Sequence, residues 1–265
     1  MQSVITHYDS IGDFRRVLDT LTPARASDRK ASAWTGGESW VSAKRNLLVG
    51  KMESVPKASA LLDQLAEHSI ELEQTVWEPS VAGAFPLVPA YLSGHPETML
   101  RPVPTATDRS PVKVYASVCC SAGVDSVDLE KRGIAILALC QKLGAVRPIE
   151  LFLYADMGGS GHAFMPCVKV ETSPLDLATA TFALTSAGFL RQLCFGWAEQ
   201  YGWGGGWAWG DNPTSASSQR RTREALGLTD TDLLIPGGFS TDPLIRKPVE
   251  WINEKVAFYT KALDE

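Results

Sequence analysis

The chain has 265 residues, 45% of them apolar, with a net charge of −5 and a pI near 5.5. That length carries one large α/β domain, or one domain with a helical appendage. The acidic balance disfavours a general grip on nucleic acid through phosphate neutralisation, and no uncharged apolar run reaches the ~18 residues of a membrane-crossing helix.

The N-terminal MQSVITHYDSIGDF has early acids and no apolar run, so it does not read as a secretory signal. The first amphipathic pattern predicts a helix over Ile11 to Leu21, ended by Pro23, then a small polar loop. Trp34-Thr35-Gly36-Gly37-Glu38-Ser39-Trp40 reads as a glycine turn opening a helix to Gly50, with Trp40, Ala43, Leu47 and Leu48 on one face. A second helix is expected over Lys57 to Glu67, carrying Leu61, Leu62 and Leu65. Between 76 and 104, Pro79, Pro86, Pro89, Pro96, Pro102 and Pro104 rule out a long helix or a central strand. One helical turn fits Pro89 to Leu92, stopped by Gly94, with Trp77, Phe85, Tyr91 and Met99 as surface anchors. The boundaries that follow are a helical region 1–75, a proline-rich connection 76–110 and an α/β domain 111–265.

Val112 to Val118 alternates and is β-rich, ending at Cys119-Cys120-Ser121-Ala122-Gly123. Asp125 or Ser126 can cap a helix, and Asp128 meets its dipole. From Ile134 to Leu143 that helix is apolar nearly all round, which predicts cover on both sides. Pro148 breaks the chain before a second apolar strand, Ile149 to Tyr154; a helix between two strands makes them parallel. The glycine loop from Met157 to His162 leads into a third strand, Phe164 to Val170, where a phosphate loop would need a helix. Thr172 to Asp176 reads as a helix start, with a Ser or Thr cap and Pro174 at the first position, and the helix is expected to reach Gln200. Asp232 to Ile235 is a short strand before Pro236-Gly237-Gly238, and Pro248 opens a last helix ending near Leu263. The alternation predicts a mostly parallel, Rossmann-like sheet flanked by helices, with ligands expected in loops 117–125, 156–162 and 236–242.

The candidate ligand or partner residues are therefore Ser117, Cys119, Cys120, Ser121, Asp125, Asp156 and His162. Trp203, Trp207 and Trp209 of the Trp/Gly loop 201–212 join them as a stacking platform for a ring or base. The cluster Arg220-Arg221-Thr222-Arg223 beside that loop reads as a solvated helix face before a phosphate site. The five cysteines, two of them adjacent and none in a Cys-x-x-Cys, read as reduced thiols of a cytoplasmic protein. A thiol before a helix N-terminus has a lowered pKa, but the loop after Cys120 has no phosphate-clamping Arg and neither His95 nor His162 is placed as a base. Gly-x-Ser-x-Gly is absent, and no spacing pairs two carboxylates. No catalytic residue, metal ligand or cofactor is assigned.

The junction Ser117-Val118-Cys119-Cys120-Ser121 resembles the metal-ion-dependent adhesion site of von Willebrand factor A domains, which carries Asp-x-Ser-x-Ser. Ser117 stands at the Asp position, Cys119 and Ser121 at the two Ser positions, and the later strand's nearest acid is Asp242. The resemblance implies an A-like core without its metal chemistry, since a hard cation wants several oxygens including an anionic one. Blocks 34–40, 81–83, 91–99, 118–124 and Arg132-Gly133 also resemble a group of phage and mobile-element proteins. That likeness implies a phage origin and an A-like core but no activity; a place in the host cytoplasm or on the virion, and a protein partner in a phage or host complex such as an ATPase, are the expectations that fit an interaction module of this kind. The expectation is a non-enzymatic interaction module working through the strand-end face; the alternatives are a ligand-binding or hydrolytic site at the same strand ends using Cys119, Ser121 and Asp156, and single-stranded nucleic-acid binding through the Trp/Gly loop 201–212 and Arg220 to Arg223.

Overall fold

The β-rich runs seen in the sequence form the middle of one sheet. A computed structural model describes residues 4–22, 31–51, 56, 59–60, 63, 77–82, 85–102, 111–121, 123–144, 148–159, 162–172, 176–203 and 214–261. Val112–Ser117 (β5) runs parallel to Ile149–Tyr154 (β6), in register from Val112 against Ile149 to Ser117 against Tyr154. The crossover is the helix Ser126–Gly144 (α4). Leu233–Ile235 (β9) joins the other side of β5, also parallel. His162–Val170 (β8) pairs antiparallel with β6, and Met157–Gly159 (β7) folds back on β8. With Val4–Tyr8 (β1) at the outer edge, the full order is β1-β8-β6-β5-β9.

Two features of this sheet depart from the sequence reading. The expected glycine loop at 157–162 contains β7, so it turns a hairpin. The outermost strand, Val4–Tyr8 (β1), comes from the region read as helical and lies parallel to β8. Its VITHY stretch is short and half-polar, as an edge strand is, and periodicity does not separate five such residues from loop.

One face of the sheet carries most of the core. Val112, Val114 and Ala116 of β5 and Leu151 and Leu153 of β6 belong to one apolar cluster with α4 and the helices Ile11–Thr20 (α1) and Trp40–Val49 (α2). Helix α4 is buried over Arg132 to Cys140, between the sheet below and its helical neighbours, as its apolar girth requires. The other face bears a smaller cluster of Tyr115, Tyr154, Met165, Cys167 and Leu226, in which Tyr115 and Phe152 stack 4.6 Å apart. Helix α2 buries Ala43 and Leu47 as expected, but Leu48 is 50% exposed. The expected helix 57–67 falls largely outside the described residues.

The expected continuous helix 172–200 is broken. Its cap is Asp176, which accepts from the Ala178 and Thr179 amides at 3.1 and 3.2 Å, in place of Thr172 or Ser173. Thr172 Oγ1 instead donates to the Ile149 carbonyl at 2.7 Å. Helix α5 (Leu177–Thr185) stops at Ser186, a π-helical turn covers Phe189–Cys194, and α6 runs Phe195–Gln200. Helix α7 (Ala216–Leu226) precedes β9; α8 (Pro243–Arg246) and α9 (Pro248–Lys261) follow it. Residues 77–102 form a separate antiparallel sheet in the order β2-β4-β3 (Trp77–Ser80, Met99–Pro102, Phe85–Pro86), with the short helix α3 at Val88–Leu92. Tyr91, expected to anchor this arm, is 70% exposed. No described helix is long and apolar enough to cross a membrane.

Gly133 sets the α4–α5 contact. A Cβ there would lie 2.7 Å from the Leu184 carbonyl oxygen and 2.7 Å from Thr185 Cγ2. Helix propensity alone makes Gly→Ala stabilising by about 1 kcal/mol. Overpacking against a backbone atom reverses the sign, so Gly133→Ala is expected to cost about 1–3 kcal/mol in urea unfolding. A gain in stability would show that α4 and α5 do not meet there.

Candidate functional site

The chain leaves β5, crosses through α4 to β6 on one side, and later returns to β9 on the other. The carboxyl ends of β5 and β9 therefore flank the point where strand order reverses, the usual ligand crevice of an open α/β sheet. Here that crevice is closed. Gly238 N–H donates to the Cys119 carbonyl at 3.1 Å, and Ser121 N–H donates to the Gly238 carbonyl at 3.0 Å, so the strand pairing continues past both strand ends.

Beneath this bridge lies Arg132, 2% exposed. It reaches out of α4 and donates from Nη1 to the Ser117 carbonyl at 2.8 Å, from Nη2 to the Pro236 carbonyl at 2.6 Å and from Nε to Asp242 Oδ2 at 3.0 Å. Asp242 Oδ1 accepts from the Leu244 amide at 3.0 Å, so one carboxylate caps α8 and holds the guanidinium. Burial works against the charge on Arg132, but Cys120 and Asp242 outweigh it and push its pKa up. A second pair, Arg246 to Asp128 at 3.8 Å, ties the same loop to α4.

The predicted residues occupy different places around this lock. Ser117 is buried and its Oγ accepts from the Cys119 amide at 3.1 Å. Cys119 is fully buried, donates to the Asp156 carbonyl at 3.7 Å, and burial pushes its thiol up to about 12. A thiol so placed holds its proton at neutral pH and is a poor nucleophile. Cys120 is also buried, in a cluster with Val124, Leu129 and Ile245. Ser121 Oγ accepts from the Gly123 amide at 3.4 Å, and Asp125 Oδ1 accepts from the Asp128 amide at 2.7 Å, which makes Asp125 the cap of α4. Asp156, at the end of β6, is half-buried; burial raises its pKa and Arg221 of α7 pulls it back. The backbone of His162 opens β8, but its side chain, like all of Trp207 and Trp209, lies outside the described residues. Trp203 is buried with its ring 4.8 Å from Phe195, so it is core and not an open platform. Arg220 is exposed and lies 3.8 Å from Glu224, while Arg223 donates to the Thr229 carbonyl at 2.7 Å. Among the described residues no three or more His, Cys, Asp or Glu side chains converge into a metal site.

The glycine-turn block at 34–40 reaches this end of the sheet. Gly36 lies against Ala187, which packs on the Cys120 cluster. Arg191 of the π-turn lies 5.0 Å from the Trp34 ring centroid and donates to the Trp34 carbonyl. Burial lowers the Arg191 pKa, against a smaller opposing effect of Cys120. Trp34 itself is 45% exposed and meets Phe195 at 6.0 Å.

Residues 2–257 match the model of a protein family described as a domain of unknown function, DUF7192. The chain belongs to the DUF7192 family. The match runs from β1 to within α9, so the central sheet, the arm at 77–102 and the strand-end lock all fall inside the DUF7192 domain. No curated protein and no solved structure matches the chain.

Sequence reasoning missed Arg132, Arg191 and Trp34 as site residues. Arg132 gave little signal: it closes the charged run Glu130-Lys131-Arg132, which reads as a solvated helix face, and only its place directly before the apolar stretch Gly133 to Leu139 hints at burial with a partner. Arg191 sits in a π-turn that no local pattern announces, although such turns favour functional positions.

Proposed function

We propose that this DUF7192 chain is a non-enzymatic protein-interaction module that works through the strand-end face of a von Willebrand A-like sheet. The observation that carries this reading is the filled crevice. The place where α/β sheets hold small ligands is taken by Arg132, while the surface beside it offers an exposed tryptophan backed by an arginine. Tryptophan and arginine dominate the energetics of protein interfaces. The A-like part of the reading draws support from the segment order β8-β6-β5-β9, half of a doubly wound order with its outer strand reversed. The phage or host partner, and a cytoplasmic or virion site of action, rest on the resemblance of the sequence blocks.

The buried Cys119 does not favour the hydrolytic alternative, and with Trp203 buried the nucleic-acid alternative keeps only the arginines of α7 among the described residues. The test is a photo-crosslinking residue placed at 34, with 258 as a remote exposed control. A discrete protein adduct from 34 alone is expected in the native cell. Trp34→Ala is expected to weaken the purified complex about 30-fold or more, the loss of roughly 2 kcal/mol that marks a hot spot. Equal binding by Trp34→Ala and the unsubstituted chain would remove this face from the interface.

A further inference from the structure

Arg132 brings a full charge into the core and meets oxygens from three separate segments. The Ser117 carbonyl ends β5, the Pro236 carbonyl follows β9, and the Asp242 carboxylate caps α8; each bonds a different guanidinium nitrogen at 2.8, 2.6 and 3.0 Å. None of these oxygens comes from α4 itself. The surroundings are fitted to the ion as well. A Cβ on Gly238 would stand 2.8 Å from Arg132 Nε and 2.7 Å from Asp242 Oδ2, so position 238 has no side chain where the guanidinium lies. Two carbonyls and a carboxylate on converging loops form the donor set that hard cations take. Arginine is always charged, and its fork satisfies several acceptors at once.

We propose that the space between Ser117, Pro236 and Asp242 is a cation-binding pocket which the chain fills with its own side chain. When Arg132 is cut back, the pocket takes up a free cation, guanidinium first and a small divalent ion second. In the unsubstituted chain the joined ends of β5 and β9 are then held in one state without external metal. The inference requires no partner, so it stands or falls apart from the interaction reading.

The test is thermal unfolding of Arg132→Ala in about 30 mM guanidinium chloride, against the same concentrations of sodium chloride and urea. Guanidinium is expected to raise Tm of the variant by about 2–3 °C, and magnesium chloride at about 10 mM to give a smaller rise. Adding Asp242→Asn to the variant is expected to abolish both rises. The unsubstituted protein is expected to respond to neither salt nor to EDTA. If Arg132→Ala is recovered unfolded, the same salts are compared by refolding yield from urea. A variant that guanidinium helps no more than sodium does, by either readout, overturns the proposal. So does an unsubstituted protein whose Tm falls in EDTA.

Discussion

Arg132→Met is expected to lower the unfolding free energy by about 3–5 kcal/mol, a fall of roughly 8–15 °C in Tm. Methionine keeps the unbranched apolar stem as far as Nε but removes every donor. The Asp242 carboxylate, with 10% side-chain exposure, then stays under the loop without its counter-ion. The Ser117 and Pro236 carbonyls lose their guanidinium donors at the same time. Truncating one member of a buried pair costs more than the pair is worth, because the remaining charge is left desolvated. The double variant Arg132→Met/Asp242→Leu should therefore recover part of the loss. It should not recover all of it, since Asp242 also caps α8 through the Leu244 amide. Arg132→Lys should fall between, because one ammonium cannot span oxygens on three segments. Urea unfolding of the unsubstituted chain, Arg132→Met, Asp242→Leu and the double variant gives the cycle, and a coupling below about 0.5 kcal/mol would mean that the two residues act independently.

What the sequence disclosed and what it hid divide along a physical line. Strands β5 and β6 and the helix between them were legible because their apolar residues are local and continuous. A crossover helix then dictates parallel pairing, and the register of Val112 on Ile149 follows it. Strand β1 was not legible: its identity as a strand comes from β8, more than 150 positions away in the chain. The break in the helix at 186–194 was hidden for a related reason. Ser186 and Gly188 read as tolerable helix residues, whereas the fold uses the break to fit Gly188 against Glu38, whose Cβ and Cγ would meet a Cβ there at 2.7 Å. The thiol loop was rightly singled out as the strand end, but its chemistry was not readable. Cys119 comes shortly before a helix in the chain, which in sequence suggests a thiolate, but the helix begins only at Ser126 and the thiol is fully buried, which holds the proton on it. Asp242 was noticed as the acid nearest the later strand, yet the charge it meets is Arg132, whose position on α4 only the tertiary fold brings there.

The buried thiols give the second large effect: stability is expected to fall steeply above pH 9. Burial pushes Cys119, Cys140 and Cys167 from their ordinary value of 9.0 up to about 12. The folded chain keeps these protons while the unfolded chain releases them, so the stabilisation is complete below pH 9 and is lost as pH rises toward 12. Each group approaches a loss on the order of 1.4 kcal/mol per pH unit only once pH is well above the unfolded value, so the three together remove about 3 kcal/mol between pH 9 and 10 and about 4 kcal/mol over the next unit. Tyr8 and Tyr115, raised from 10.0 to about 12, add to the fall above pH 10. Lysines titrate in the same range, so the measurement that isolates the thiols is a comparison. Urea unfolding with reductant present is followed from pH 8 to 10.5 for the unsubstituted chain and for Cys119→Ala/Cys140→Ala/Cys167→Ala. The triple variant starts less stable, from cavity loss, but its stability is expected to fall with pH far more slowly. Parallel slopes would show that the thiols are solvated in the folded chain. A solvated Cys119, at the end of β5 and beside Asp156, would then have to be reconsidered as a reactive group, and native-state labelling by a thiol reagent at pH 8 would reveal it first. The closed crevice over Arg132 predicts the opposite: labelling of Cys119 and Cys120 that waits for unfolding.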